Sequence, residues 1–187
     1  MSASRYHDLL ALIVGLAVLV VDQLTKFWIV QYFGAEGVRP PIPIFGQILT
    51  LYYVQNTGVA FSLFAGQNIK FLLIAVAFGL ICYLYWRFRD SATLWLRLGF
   101  ALVLGGAIGN LLDRLTRSYV VDFVHFQIPG IFNFAVFNVA DSAITIGVIV
   151  IAISMYRMGP GPATTTSGDM SESDERVGSA KGVGERQ

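Results

Sequence analysis

Residues 9–33 read LLALIVGLAVLVVDQLTKFWIVQYF, an apolar stretch in which Asp22 and Lys26 are the only charged side chains. A bilayer core of about 30 Å needs roughly 20 apolar helical residues, so this stretch is long enough to cross it. Arg5 precedes the stretch, as in a secretory signal peptide, but no small-residue cleavage site follows and the apolar pattern continues to its end. The sequence therefore predicts a retained transmembrane helix over about 9–33.

The composition extends this prediction to the whole chain. Its 187 residues are 55% hydrophobic and 13% charged, whereas a soluble domain carries about 25% charged residues. Three further stretches have the length and apolarity of membrane helices, at about 68–86, 94–112 and 134–156. We predict an all-α membrane protein with four transmembrane helices, forming one domain over 1–157.

Composition also limits the chemistry. A net charge of +1 gives no clustered basic surface for a nucleic-acid partner. One cysteine, Cys82, excludes an internal disulfide and a multi-cysteine metal site. The two histidines, His7 and His125, form no His-Glu-x-x-His zinc motif. An interfacial surface position is the preferred interpretation for His125, and we expect no metal and no cofactor.

The segments between the helices differ from them in composition. Residues 34–67 contain three helix-breaking prolines, while 47–54 is rich in strand-forming residues, which predicts a small β-rich segment on the outer membrane face. The loop 114–133 mixes charges with aromatic residues, as an interfacial platform does. The polar tail 158–187 has the composition of a disordered segment.

Basic residues set the predicted orientation. Arg87, Arg89 and Arg97 cluster in one short connection between predicted helices, and such clusters favour the cytoplasmic side. We therefore expect both termini and the tail to be cytoplasmic and the two large loops to lie outside.

Polar residues within the apolar stretches are the informative ones, because a charge in the bilayer core costs at least about 2.5 kcal/mol. Asp22 and Lys26 are four residues apart with the acid first, the favourable order for a helical ion pair. Two interpretations stay open: a self-compensating pair that anchors the first helix, or a direct part of a site.

The end of the third predicted helix combines small and polar residues. Gly105, Gly106 and Gly109 provide a smooth face for close helix contact. Asn110, Asp113 and Arg114 follow at i, i+3 and i+4, so they share one face. This face is either a hydrogen-bonded brace or a site that binds carbonyl groups. Arg114 and Arg117 follow Asp113 by one and four residues, so we expect these cations to engage its carboxylate.

The fourth predicted helix carries a polar stripe that must face the bundle interior, formed by Asn138, Asp141, Ser142 and Thr145. An unpaired acid such as Asp141 indicates function by default. Asp122 lies in an apolar run just after the third helix. Two carboxylates close together in a water-poor place would share one proton and could activate a water molecule. The alternative is two unrelated interfacial acids.

Two other classes of protein compete with an enzyme. A proton-coupled transporter or channel would place acids near the midplane, on a path open to both faces, whereas these acids all fall toward one side. A structural assembly factor would not need paired acids at all.

Five segments, taken together, resemble the lipoprotein signal peptidases (signal peptidase II), which are bacterial membrane aspartic peptidases. They follow the order and spacing of that family within about residues 8–157. The segments are Asp22-Gln23-Leu24-Thr25-Lys26, Asn56-Thr57-Gly58-Val59-Ala60-Phe61-Ser62, the run from Gly105 to Arg114, Val120-Val121-Asp122-Phe123, and Phe137-Asn138-Val139-Ala140-Asp141-Ser142-Ala143.

The resemblance implies an aspartic endopeptidase of the bacterial cytoplasmic (inner) membrane, with its active site at the periplasmic face. Such an enzyme removes the signal peptide of a prolipoprotein, cleaving before the diacylglyceryl-modified cysteine, and is inhibited by globomycin. By position, Asp122 and Asp141 match the catalytic pair. The residues that match the substrate-binding set are Asn56, Gly106, Asn110, Arg114, Asn138 and Ala140. Asp22 and Lys26 match a structural brace, to which the helix-three cluster adds Asp113.

Overall fold

A computed structural model describes residues 3–34, 37–58, 79, 81–83, 85–87 and 93–158. Three helices in this part of the chain are long and apolar enough to cross a membrane. They are α1 (Ala3–Phe33), α2 (Leu94–Arg117) and α3 (Val139–Met158). The predicted span 68–86 and the predicted tail lie largely outside the described residues, although those described between 79 and 87 are helical.

The outward faces of α1 and α3 are apolar, as expected of helices in lipid. Large hydrophobic side chains are exposed along both helices, which reverses the pattern of a soluble bundle. The exposed residues include Leu12, Ile13, Leu16, Val20, Leu24, Phe27, Ile146, Val148, Ile149 and Ile153.

Small residues let α2 pack closely against both of its neighbours. A Cβ added at Gly105 would lie 2.6 Å from the Gly15 carbonyl oxygen on α1. On the other side, a Cβ at Gly106 would lie 2.5 Å from the Ala140 oxygen, and one at Gly147 would lie 2.7 Å from the Gly99 oxygen. The predicted smooth face is therefore present, and α2 is the central helix of the described bundle.

Both predicted ends near the site need correction. The helix predicted to stop at about 112 continues to Arg117 and ends at Ser118, whose left-handed backbone (φ 67°) lets its N–H donate to the Arg114 carbonyl. The helix predicted to start at about 134 begins at Val139 instead. Phe137 exchanges backbone hydrogen bonds with Val124, so the chain before α3 is extended.

The polar end of the bundle carries a four-stranded antiparallel sheet in the order β1-β2-β3-β4. Its strands are β1 (Ile42–Phe45), β2 (Leu49–Asn56), β3 (Val120–Ile128) and β4 (Phe132–Asn133). The predicted β-rich segment corresponds to β2. Its main partner, β3, lies in the region predicted to be a loop, so the all-α description was wrong for this region.

An apolar cluster fixes the sheet to the bundle. Ile29 and Phe33 at the end of α1 pack against Val121 and Phe123 of β3, and all four side chains are buried. Since β3 follows α2 after only two residues, this cluster determines where the middle of β3 lies relative to the helices.

We predict that Gly147→Ala destabilises the bundle, since the added methyl group would meet the Gly99 oxygen at 2.7 Å and a Val103 methyl at 2.7 Å. Overpacking of this kind costs about 1–3 kcal/mol. Gly79→Ala is the matched control, because a Cβ there would have no heavy atom of the described residues within 4 Å. Thermal unfolding in detergent should show a lower Tm for the first variant only; equal Tm values would contradict close α2–α3 packing.

Candidate active site

A fully buried lysine lies at the centre of the polar cluster. Lys26 Nζ is 2.8 Å from Asp22 Oδ2 and 3.0 Å from Asp113 Oδ2. It also donates to Asn110 Oδ1 at 2.9 Å. The predicted Asp22–Lys26 pair is therefore present, and it extends to α2 through a second acid and an amide.

Asp22 also connects α1 with the start of α3. Its Oδ1 accepts a hydrogen bond from the Ala140 backbone N–H at 2.9 Å, and its Oδ2 accepts one from Gln23 at 3.1 Å. Oδ2 lies only 2.5 Å from where a Cβ of Gly109 would be, so glycine is needed there. Asp22 thus links α1 directly to the start of α3, and its partners Gln23 and Lys26 extend the link to α2.

Asp113 is fully occupied in a similar way. It pairs with Lys26 and with Arg117, and its Oδ2 accepts the Val121 backbone N–H at 3.1 Å. Arg114 does not pair with this acid; it donates to the Asn110 carbonyl oxygen at 3.2 Å. The sequence predicted that cations would engage Asp113, but Lys26 from α1 was not among the expected partners.

Asp122 projects from β3 into the same region and is 1% exposed. The sheet register pairs it with Val54, so Asn56 is its diagonal neighbour on the same face. Asn56 Nδ2 donates to Asp122 Oδ2 at 2.8 Å, and Asn138 Nδ2 donates to Oδ1 at 2.7 Å. Among the described residues, its hydrogen-bond partners are thus two neutral amides.

This environment raises the pKa of Asp122 to about 6. Burial is the largest cause, because it disfavours the charged carboxylate, and the nearby negative charge of Asp141 adds to it. The hydrogen bonds from Asn56 and Asn138 and the charge of Lys26 act in the opposite direction. Asp122 can therefore gain and lose a proton near neutral pH.

Asp141 lies in the first turn of α3 and is capped reciprocally by Asn138. The Asp141 N–H donates to Asn138 Oδ1 at 2.9 Å, and the Asn138 N–H donates to Asp141 Oδ2 at 3.2 Å. This is the reciprocal geometry of a capping box. Asp141 Oδ1 accepts a further hydrogen bond from Asn110 Nδ2 at 2.7 Å, so its carboxylate accepts two hydrogen bonds, one from an amide side chain and one from a backbone N–H.

Asn138 joins the two carboxylates. Its amide nitrogen holds Asp122, its amide oxygen and backbone N–H hold Asp141, and its side chain is fully buried. The structure therefore brings Asp122 and Asp141 together, which argues against two unrelated interfacial acids. Asp22, Asp113, Asp122 and Asp141 all lie at one end of the bundle. No three of the described His, Cys, Asp or Glu side chains are placed so that they could hold a metal ion together.

Other predicted residues take structural positions. Gly106 and Ala140 form the closest α2–α3 approach. Ser142 and Thr145 hydrogen-bond backbone carbonyls of their own helix, at 3.1 and 2.8 Å. His125 contacts Asn133 at 2.7 Å rather than either acid of the pair. Of the predicted polar stripe, Asn138 and Asp141 contribute to the cluster.

Gln23 is a contact of this cluster to which the sequence assigned no partner, whereas the i, i+4 spacing predicts that Arg117 engages Asp113. Gln23 Nε2 bridges Asp22 and the Gly109 carbonyl, each at 3.1 Å. Arg117 pairs with Asp113 one helical turn away. That pairing confirms the expected i, i+4 contact, whereas the contact from Gln23 to Gly109 joins residues 86 positions apart, which no local spacing indicates.

We predict that Lys26→Met lowers the free energy of unfolding by about 3–5 kcal/mol, because it leaves two buried acids without their shared cation. Arg117→Met is the matched control: it removes a partly exposed cation from Asp113 while Lys26 remains. That change should cost about 1 kcal/mol or less. Equal losses in denaturation in mixed micelles would refute a central role for Lys26.

Comparison with known proteins identifies the family of this chain. The family model described as signal peptidase (SPase) II matches residues 14–157. A lipoprotein signal peptidase of Bartonella tribocorum is 41% identical over 80% of this chain and 89% of its own length. That of Latilactobacillus sakei is 46% identical over 79% of this chain and 93% of its own.

A solved structure supports the fold as well. It is a bacterial membrane enzyme determined by the in meso method at 1.9 Å resolution, with a TM-score of 0.63 and 28% identity. The match covers 78% of this chain and 91% of that one. The matches in sequence and structure, over the residues that build the cluster, show that this chain belongs to the signal peptidase II family.

Proposed function

We propose that this protein is a membrane aspartic endopeptidase that removes the signal peptide of prolipoproteins by cleaving before the diacylglyceryl-modified cysteine. The observation that supports it most directly is that Asp122 and Asp141 are held by the same side chain, Asn138. The names of its relatives, lipoprotein signal peptidases, indicate the substrate class.

The two acids have different environments, which suggests different roles. Because burial raises the pKa of Asp122 to about 6, we assign the shared proton to this acid. Asp141 receives two N–H donors at a helix N-terminus, where negative charge is stabilised. In this assignment Asp141 is the general base and Asp122 is the general acid.

The reaction then proceeds in two proton-balanced steps. Asp141 takes a proton from water as the water oxygen attacks the scissile carbonyl carbon, while Asp122 gives its proton to the carbonyl oxygen. In the second step Asp141 gives its new proton to the amide nitrogen, the C–N bond breaks, and Asp122 recovers a proton from the tetrahedral hydroxyl group. Both carboxyl groups return to their starting states, and no covalent bond forms between enzyme and substrate.

The remaining acids are poor candidates for this chemistry. Asp22 and Asp113 are fully buried and bound by Lys26 at 2.8 and 3.0 Å. A carboxylate that neutralises a buried cation loses that ion pair when it is protonated, which disfavours a proton cycle at either residue. We assign Asp22, Lys26 and Asp113 to the structural brace.

The resemblance-matched binding residues can now be divided by their contacts. Asn56, Asn138 and Asn110 already hold the two acids, so we propose that they position catalytic groups. Arg114 interacts electrostatically with Asp141, Asp122 and Asp113. We propose that its guanidinium binds a substrate carbonyl. Gly106 and Ala140 lack bulky side chains, and we propose that the peptide can therefore approach the backbone of α2 and α3 beside them.

The position of the cluster suits a lipidated substrate. It lies at one end of apolar helices, so the acyl chains can remain in membrane lipid while the peptide reaches the acids. We propose a location in the bacterial inner membrane with cytoplasmic termini and the acids at the periplasmic face. The cyclic peptide globomycin should occupy the same site.

The direct test uses the purified chain with two forms of one precursor. Cleavage of the diacylglyceryl-modified form, with the cysteine as the new amino terminus by mass spectrometry, is the expected result. The unmodified form should be cleaved far more slowly. Failure to cleave either form in a folded preparation would reject the proposed function.

We predict that Asp122→Asn and Asp141→Asn each lower kcat by at least about 10³-fold, near the contribution of a general acid or base. Both variants should remain folded and bind globomycin, since asparagine has the shape of aspartate. Asp113→Asn is the control: it should lose stability and keep measurable turnover. An inactive, folded Asp113→Asn beside an active Asp122→Asn would assign the pair to Asp113 and Asp141.

The pH dependence tests which acid carries the proton. The protonated fraction of Asp122 falls as the pH rises through its pKa of about 6, so kcat/KM should fall in the same range. The Asn56 hydrogen bond lowers that pKa, so Asn56→Ala should move this fall in kcat/KM, the alkaline limb of the pH profile, to higher pH. Gln47→Ala, in an exposed turn, should leave the limb in place. A limb unchanged in Asn56→Ala would reject Asp122 as the acid.

A further inference from the structure

A cavity with a largely apolar lining and a few polar groups lies at the end of the bundle opposite the four acids. Arg97 of α2 donates to the Ser4 carbonyl oxygen, which places the start of α2 beside the start of α1. The end of α3 lies at this same end, and between α2 and α3 there is an open cavity of about 330 Å³. Its lining residues are Thr93, Trp95, Val150, Ile153, Ser154, Arg157 and Met158.

The polar groups of this cavity have unused hydrogen-bonding capacity. Ser154 is only 7% exposed, yet its hydroxyl has no hydrogen-bond partner among the described residues. The described residues contain no fully enclosed side-chain oxygen or nitrogen without a partner. The Ser154 hydroxyl therefore opens onto the cavity that it lines.

The electrostatics of the cavity favour an anion. Arg157 is its only charged residue among those described and has no acidic partner there. The N-terminus of the 24-residue helix α2 contributes to the same wall, where Thr93 caps the Leu96 N–H at 3.3 Å. A helix N-terminus attracts negative charge through its dipole and its free N–H groups.

We propose that this cavity binds the phosphodiester headgroup of an anionic phospholipid from the adjacent membrane leaflet. Arg157 and the α2 N-terminus would neutralise the phosphate, and the Ser154 hydroxyl would donate to one of its oxygens. A lipid is favoured over a soluble anion because the other wall residues, Val150, Ile153 and Met158, are apolar. Trp95, 65% exposed beside them, is typical of a membrane–water interface.

The test is a titration of the purified full-length chain in detergent at physiological salt. The probe is phosphatidylglycerol, with phosphatidylcholine as the neutral lipid, and native mass spectrometry counts the bound molecules. We expect one tight phosphatidylglycerol site, weakened at least about fivefold by Arg157→Gln, the effect of one basic residue near an anionic surface. Ser154→Ala should weaken it measurably, with unchanged Tm.

Arg5→Gln is the matched control, since it removes the same charge at the same end of the bundle without touching the cavity. It should leave phosphatidylglycerol binding unchanged. The proposal is overturned if all three variants bind phosphatidylglycerol as tightly as the unchanged protein does. It is also overturned if Arg5→Gln weakens this binding as much as Arg157→Gln, or if Ser154→Ala has no effect on it. Displacement of the lipid by millimolar inorganic phosphate would identify a soluble-anion site instead.

Discussion

The charge of Lys26 is the constraint on which the rest of the site depends. A buried ammonium group is strongly unfavourable unless acids and hydrogen-bond acceptors surround it. Here Asp22 of α1, Asp113 of α2 and Asn110 supply them within 3.0 Å. The same acids then accept the backbone N–H groups of Ala140 and Val121, so one cation fixes the start of α3 and of β3.

That arrangement explains how two acids of similar sequence context can behave differently. Asp113 and Asp122 are nine residues apart and both almost fully buried, but only the first contacts the cation directly. Lys26 is linked to the proposed catalytic pair through Asn110. The Asn110 amide oxygen accepts from Lys26, and its amide nitrogen donates to Asp141. A hydrogen bond from an amide holds a carboxylate in position without committing it to an ion pair.

The sequence predicted the helices well where the length of an apolar stretch is enough to identify one. It also predicted those members of the polar cluster that helical spacing brings to one face. It failed where a distant partner changes the local outcome. Asp113, Arg114 and Arg117 suggested the end of a membrane span, yet α2 continues through them because Lys26 on another helix neutralises Asp113. The apolar run before Asn138 suggested helix, but pairing of Phe137 with Val124 makes it extended, and a short apolar run does not distinguish the two.

The strand β3 was the main element missed, and it is also the one that makes the site possible. Its Val- and Phe-rich run is typical of a strand, but a strand needs a partner, and β2 lies more than 60 residues earlier in the chain. Once paired, β3 turns Val121 and Phe123 toward α1 and Asp122 toward Asn56 and Asn138. The alternation of side chains along a strand thus separates the anchor from the acid. Hydrophobic packing against α1 sets the position of Asp122, burial at that position raises its pKa, and the hydrogen bonds from Asn56 and Asn138 oppose the rise.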